Sequence, residues 1–521
     1  MNGWSLKYTY DDCGNLKALT KNPPPGSKAP SILLATYFWD AAHRLVQVNH
    51  FHLGTHKFFY DAASRLIRVE NGNGTVTQYD YTVRDFLRKI AHYKSDGTLL
   101  AGWVRDAFDN VGQVLREREL HTNRYSDFFY NDAYELTRYT VRKIVGMIDA
   151  RGNYADDQPL LDESFAYDSV GNRTNKTDNL TGTTINYTYD AFNKLLRAGD
   201  EQFAYDANGN LLQRIIGQVV WQYEWDDLDQ LVKIIRPDGQ IVRFTYDGLG
   251  RRVQKEGPNG TFDYLHDGFQ VISDGVVEYG WAGSRLLGER WTTGTAAKFW
   301  HLTDGRASTR LLLDSDQQTV ATFDYKAFGE LWQSTGNLPT TRRFVSYGAY
   351  EYELESDLYF LVHRYYDPNL ARFLSLDPAR FGINWYLYAL NDPINLFEWF
   401  GLEPEKFNGV ITGFGPIDWL LQPLGEVAWN YGYMAGEYDA GKVSGWRIAL
   451  ERLLSRQPLN TKSLWQEAKA FVDKKEGAFG LGRHHFGQTL CQSLEWQTPK
   501  GHQRHRSFDL ALDRREIAHS L

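Results

Sequence analysis

Apolar and polar residues alternate along much of the first half of the chain. Val219–Trp225 reads VVWQYEW and Ile241–Tyr246 reads IVRFTY, the period of two that marks a half-buried strand. Many such runs end alike: an aromatic, any residue, an aromatic, then Asp, with Leu or Val a few positions on. Good copies end at Tyr10-Asp11, Trp39-Asp40, Tyr60-Asp61, Tyr167-Asp168, Tyr189-Asp190, Tyr205-Asp206, Trp225-Asp226 and Tyr246-Asp247. Thr82 and Asn131 stand where Asp is expected in degenerate copies. The Asp residues are 29 and 21 positions apart at the start, and 22, 16, 20 and 21 apart between Asp168 and Asp247. About 21 residues hold two strands of six or seven residues and two turns, so each unit predicts a β-hairpin. Asn73-Gly74, Asp238-Gly239 and Asn259-Gly260 add hairpin-turn signals.

The repeated Asp has a local role to play. Its carboxylate can accept backbone N–H groups of the turn that follows. The aromatic before it and the one two residues earlier share a strand face and bury large area. A catalytic residue would not be copied at strand end after strand end, and the ligand density of a calcium loop is absent.

Composition sharpens this picture. The 521 residues include 29 Phe, 16 Trp and 32 Tyr, so 15% are aromatic, far more than one solid core requires. Net charge is -8, which disfavours a general nucleic-acid binder. Cys13 and Cys491 are too few and too far apart for a disulfide framework or a CxxC metal site. The start of the chain lacks the basic and apolar regions of a secretory signal, and no apolar run of 18 residues predicts a membrane span.

The aromatic-Tyr-Asp-x-x-Gly-Arg-Leu unit resembles the YD repeat of Rhs proteins and the related Tc-toxin C subunits. Downstream, Phe299 to Gly305, Phe323 to Glu330, His363-Arg364-Tyr365-Tyr366-Asp367-Pro368 and Ala371 to Pro378 resemble the Rhs-associated core, as do Asn384 to Ala389 and Asn391 to Asn395. The resemblance covers residues 1–402. It implies a mainly β fold: a hollow cocoon of spiralling antiparallel sheet, a core plug, and a variable toxin-like region held inside. The expected division is 1–290 for the shell, 291–402 for the core and 403–521 for a smaller α-rich or α+β domain. A 402-residue shell is short for the family, which points to part of a cocoon or an open one.

The family also implies self-cleavage after Asp-Pro-x-Gly-Leu by two Asp carboxylates in unequal protonation states. Asp377 matches the first, but the preceding family Arg is Leu376, removing a charge from beside it. The closing segment reads Glu398-Trp399-Phe400-Gly401-Leu402, so Glu replaces the second Asp and Trp the Pro. The bond to be cut joins Leu402 to Glu403. Asp392 is a third nearby carboxylate, with a turn role in Asn-Asp-Pro as its other reading.

Beyond Leu402 the YD pattern stops. Ser444 to Arg456 and Ser463 to Lys474 carry helical periodicity. Arg483, His484, His485, His502 and His505 form a basic His-rich stretch suited to a nuclease, with His as base and Arg on phosphate. The other reading is a solvated terminus. Cys491 with His502 and His505 fits no standard zinc spacing, and no metal or cofactor is expected.

Two functions stay open. One is a bacterial Rhs-type toxin carrier, made in the cytoplasm and then secreted or displayed without a signal peptide. Its expected partners are an immunity protein, its own enclosed tail, and delivery machinery such as type VI spike components or a chaperone. The other is a non-enzymatic YD-repeat carrier or cell-surface interaction protein with a degenerate tail.

Overall fold

The computed structural model describes residues 3–146, 157–294, 296–346, 350–398, 400–402 and 404–406. The expected helices and His-rich residues of the tail, including Arg483, His484, His485, His502 and His505, lie outside the described residues, as do Trp399 and Glu403. Residues 1–413 belong to one compact unit.

The described residues are almost wholly antiparallel β, as the alternation predicts. They form sheets of 23, 8, 4 and 2 strands. The largest runs from Ser5–Tyr10 to Gly260–Asp263, the eight-stranded sheet from Leu265–Asp267 to Leu331–Thr335, and the four-stranded sheet from Glu351–Glu353 to Arg372–Phe373. No helix among the described residues is long and apolar enough to cross a membrane.

Each YD unit closes by the same turn. Asp190 Oδ1 accepts the N–H groups of Phe192 and Lys194 at 2.8 and 2.9 Å. Asp247 accepts those of Leu249 and Arg251 at 2.9 and 3.0 Å, and Asp206 accepts that of Asn210 at 2.8 Å. The degenerate copies keep the cap with other acceptors. Thr82 Oγ1 takes the N–H groups of Arg84 and Phe86 at 3.2 and 3.1 Å, and Asn131 Oδ1 those of Ala133 and Glu135 at 3.0 and 2.9 Å. Asp109, which follows only one aromatic, caps an equivalent turn through Val111 and Gln113. A register shift at these turns then sets the aromatic opposite the residue six positions on, a buried Leu in Tyr60 against Leu66 and Tyr189 against Leu195 and a buried Arg in Tyr167 against Arg173 and Tyr246 against Arg252.

The aromatic before Asp is Tyr or Trp for a second reason. Its polar tip bonds a main-chain carbonyl of the preceding hairpin. Tyr60 Oη donates to the Leu45 carbonyl at 2.8 Å, Tyr81 to Leu66 at 2.8 Å and Tyr246 to Leu231 at 2.7 Å. Trp39 and Trp225 make the same link through Nε1, to Leu16 and Leu211, both at 2.7 Å. Phenylalanine would fill the space and leave the carbonyl without this donor.

A third contact joins successive turns. The residue four after one cap reaches the residue three after the next. Arg65 Nη1 donates to Asp85 Oδ1 at 2.6 Å, Asn172 Nδ2 to Asn193 Oδ1 at 2.8 Å and Asn210 Nδ2 to Asp229 Oδ1 at 2.7 Å. Asp85, Asn193 and Asp229 occupy the left-handed position that Gly14 and Gly250 fill elsewhere, at φ of 64, 63 and 58°. A side chain there costs roughly 1–2 kcal/mol of backbone strain, which the inter-turn bond offsets.

The apolar face of the large sheet is covered from within the chain. Val48, Phe58, Val69 and Ile90 pack with Leu287, Trp300, Leu311 and Leu313 of the eight-stranded sheet. Phe203, Tyr223 and Phe244 pack with Leu358, Phe360 and Leu374, while Phe128, Tyr139 and Phe165 meet Ala327, Phe328 and Ile394. The covering strands are buried on both faces: Val277–Ala282, Thr309–Leu313 and Leu358–Leu361 are buried at every position, with the charges of Glu278 and Arg310 held in ion pairs. The described strands thus form several sheets, and the later ones line the apolar face of the large sheet where they meet it. Part of the aromatic load packs between sheets.

Buried ion pairs fix that seam. Arg252 bonds Glu351 at 2.7 Å, and Lys255 holds Glu353 and Glu355 at 2.8 and 2.6 Å. Arg310 pairs with Glu119 at 2.8 Å and Arg124 with Asp324 at 2.8 Å.

Replacing Tyr60 by Phe deletes only the hydroxyl that bonds Leu45. The full chain is expected to lose about 1 kcal/mol, read as a lower midpoint in urea followed by tryptophan fluorescence.

Candidate functional site

The end of the core folds Asp377 and Glu398 onto one arginine. Arg364 lies in strand Arg364–Asp367 and Glu398 ends strand Leu396–Glu398. Arg364 Nη2 is 2.9 Å from Glu398 Oε2 and 3.9 Å from Asp377 Oδ2. Its Nη1 donates to the Trp385 carbonyl at 3.1 Å, and its Nε donates to the Gly401 carbonyl. The guanidinium lies 3.6 Å from the centre of the Phe373 ring. All three side chains are at most 3% exposed.

Glu398 is held at both ends. Its Oε1 accepts the Ala389 N–H at 2.9 Å, and its own N–H donates to Tyr350 Oη at 3.0 Å. Burial pushes its carboxyl up to about 7; the Asp377 charge adds to this, while Arg364 and the Ala389 N–H oppose it. Asp377 sits in a tight turn, where its two oxygens accept the N–H groups of Ala379 at 2.7 Å and Phe381 at 3.1 Å. It thus fills the turn-capping role and faces Arg364 as well.

Asp392 belongs to another turn. Its Oδ1 accepts from Asn395 Nδ2 at 2.8 Å and from the Asn395 N–H at 3.3 Å. Burial pushes it up to about 6, against hydrogen bonds from Asn395 and Gln113. Its turn reading is the one its contacts support, and none of these contacts joins it to Arg364.

Gly401 and Leu402 follow Glu398 in a short connection. Strands Leu396–Glu398 and Pro404–Lys406 pair across it, with Glu398 opposite Pro404. Leu402 therefore lies in the connection between these two strands. Gly401 has φ of 70° and sits against the Leu361 carbonyl, where an added Cβ would lie at 3.1 Å.

The charge absent at Leu376 is supplied from elsewhere. Leu376 packs against the shell turn at Gly209, where an added Cβ would meet its side chain at 2.8 Å. Arg364, thirteen residues upstream of Asp377, brings the guanidinium. The sequence offered only its place in the His-Arg-Tyr-Tyr-Asp-Pro motif, with no signal that it would bridge the carboxylates. Among the described residues, no group of three or more His, Cys, Asp or Glu side chains is gathered as for a metal ion.

Comparison with known proteins agrees with this architecture. The Teneurin YD-shell family matches residues 147–263. The tRNA nuclease WapA of Bacillus subtilis is 26% identical over 306 residues, which cover 55% of this chain and 12% of that protein. Toxin subunit YenC2 of Yersinia entomophaga is 23% identical over 432 residues, covering 67% of this chain and 42% of that one. The crystal structure of TcdB2-TccC3 shares the fold at a TM-score of 0.60 and 20% identity, over 77% of this chain and 22% of that one. The chain carries a YD-repeat shell and is similar to Rhs/YD-repeat toxins and to the C subunits of Tc toxins. It spans about a tenth of WapA and under half of YenC2.

A carboxyl raised from its usual 4.5 to about 7 binds its proton more tightly folded than unfolded. The stability this adds is present at acid pH and is lost as pH rises from about 4.5 through 7, a change of about 3 kcal/mol. Urea denaturation of the full chain between pH 4.5 and 8 is expected to show this fall, and Glu398→Gln to remove that component.

Proposed function

We propose that this chain is a toxin-type carrier whose core cuts the polypeptide after Leu402, separating the YD shell from the 119 residues that follow. The observation that carries the reading is the meeting of Asp377, Glu398 and the Gly401 carbonyl on Arg364. Glu398, protonated near neutrality, is the acid that polarises the Leu402 carbonyl. Asp377 is the base that takes a proton from the attacking water. The resulting hydroxide adds to the carbonyl carbon while Glu398 gives its proton to the carbonyl oxygen, and the diol collapses as Asp377 passes the water-derived proton to the peptide nitrogen and a diol hydroxyl returns one to Glu398. The carbon–nitrogen bond breaks, leaving a Leu402 carboxylate and a Glu403 amine. Arg364 holds the two carboxyl groups and the preceding peptide in one geometry, and the dry surroundings favour one proton on the pair.

The freed region is then the effector, delivered against a competing bacterium or a host. An immunity protein in the producer and a delivery complex are its implied partners. Support comes from relatives named as a tRNA nuclease and a toxin subunit. Arg483, His484, His485, His502 and His505 are the residues to test for phosphate chemistry. A second reading, a non-enzymatic carrier or surface protein, draws on the Teneurin YD-shell match and on the replacement of the family's Asp and Pro by Glu398 and Trp399. Expression of residues 403–521 alone separates the two: toxicity relieved by a neighbouring small protein supports the effector, and harmless accumulation the carrier.

Self-cleavage has its own test. The purified parent should run as two fragments on a denaturing gel, and Asp377→Asn and Glu398→Gln should each leave one band of 60.0 kDa. Cleavage should slow as pH rises above 7, where Glu398 loses its proton. A parent that remains full length over days at pH 6 refutes the protease.

A further inference from the structure

The segment that donates to Glu398 is fastened to the shell by three asparagines. Asn384 Nδ2 donates to Asn172 Oδ1 at 2.7 Å. Asn391 Nδ2 donates to the Gly171 carbonyl at 2.8 Å and to Glu135 Oε1 at 3.0 Å. Asn395 Nδ2 donates to Tyr130 Oη at 2.9 Å, while its Oδ1 accepts the Val114 N–H at 2.9 Å. Gly171 and Asn172 lie in the turn capped by Asp168, and Glu135 in the turn capped by Asn131. These motif asparagines therefore read successive turns of the YD sheet, more than 200 residues away in sequence.

Between the anchors the backbone is strained. Ala389, Leu390 and Asn391 stand in succession at φ of 49, 49 and 62°, all left-handed and none glycine. Each costs roughly 1–2 kcal/mol, and such a run persists only where its surroundings over-determine it. The conformation has a consequence at the site, because the Ala389 N–H is aimed at Glu398 Oε1. Tyr388, at the head of the turn, stacks on Tyr366 with ring centres 4.1 Å apart and accepts the Tyr350 hydroxyl at 3.4 Å.

We propose that Asn391 is a positioning residue for self-cleavage: by pinning this left-handed turn to the Asp168-capped turn of the shell, it holds the Ala389 N–H on Glu398. The acid then takes its working position only where that shell hairpin is docked, so cleavage reports a closed seam between shell and core. This inference rests on the self-cleavage reading above. The groups that face Glu398 are Arg364, Asp377 and the hydroxyls of Tyr350 and Tyr388; Asn391 acts on none of them directly.

Two substitutions approach the contact from opposite sides. Asn391→Gly removes both anchors while keeping a left-handed backbone accessible. Gly171→Ala acts from the shell, because its Cβ would lie 2.9 Å from Leu387 Cδ1 and 3.3 Å from Asn391 Nδ2. Urea stability of the full chain is followed from pH 4.5 to 9 in an Asp377→Asn background, which keeps the chain uncut. Each variant is measured with and without Glu398→Gln, so the difference isolates the Glu398 titration. Loss of the N–H bond is expected to move that midpoint up by about 0.5–1 pH unit in both variants. In the cleavable chain, the same substitutions should slow cutting by about tenfold or more. Lower stability with an unmoved midpoint in both variants overturns the proposal. A parent chain that never cuts itself overturns the self-cleavage reading, and the midpoint still decides whether Asn391 positions Glu398.

Discussion

The structure depends on one small interaction repeated along the chain, a side-chain oxygen accepting backbone N–H groups at the bend of each hairpin. A sharp turn leaves those donors without a ladder partner, and burying them unpaired would be costly. Asp supplies the acceptor in most units, Thr82 and Asn131 in two others, with the same two residues capped. Because the cap fixes the turn, it also fixes the register shift behind it. That shift places the aromatic against the residue six positions on and within reach of the previous hairpin. The tyrosine hydroxyl and the inter-turn side chains then convert a series of local hairpins into a continuous sheet.

The sheet has one apolar face, and later strands of the same chain cover it. Ion pairs such as Arg252 with Glu351 lie in that seam at nearly zero exposure. Such pairs add little net stability over apolar packing, but breaking one partner leaves an uncompensated charge. They select one docking of core on shell. Glu398 inherits its chemistry from this burial: the dry seam raises its carboxyl, and Arg364 keeps it oriented.

The region around Glu398 departs from the local rules followed elsewhere. The YD turns place single left-handed residues, several of them glycine or holding an inter-turn bond. Ala389 to Asn391 place three together, without glycine, next to a buried carboxyl. Strain of this kind gathers where geometry is held by tertiary contacts, and here those contacts are the asparagines that reach the shell.

Resemblance to a known family named the segment that would carry the carboxylates, while the sequence by itself determined the hairpins and their turn caps. Each of these follows from interactions spanning a few residues, such as an Asp bonding the N–H groups two and four positions on, and these leave a periodic trace. Tertiary structure decided the rest. Leu376 reads as a lost charge, yet Arg364 restores it from a neighbouring strand, 34 residues from Glu398 in sequence. The aromatic excess reads as the lining of a shell, and only folding shows which later strands that lining meets, as where Phe203, Tyr223 and Phe244 pack with Leu358 and Phe360. Asp392 and Asp377 are both Asp-Pro residues in sequence, and only folding sends one to Asn395 and the other toward Arg364. Burial, charge pairing and shared packing depend on which distant strands meet, and no spacing within one segment records that.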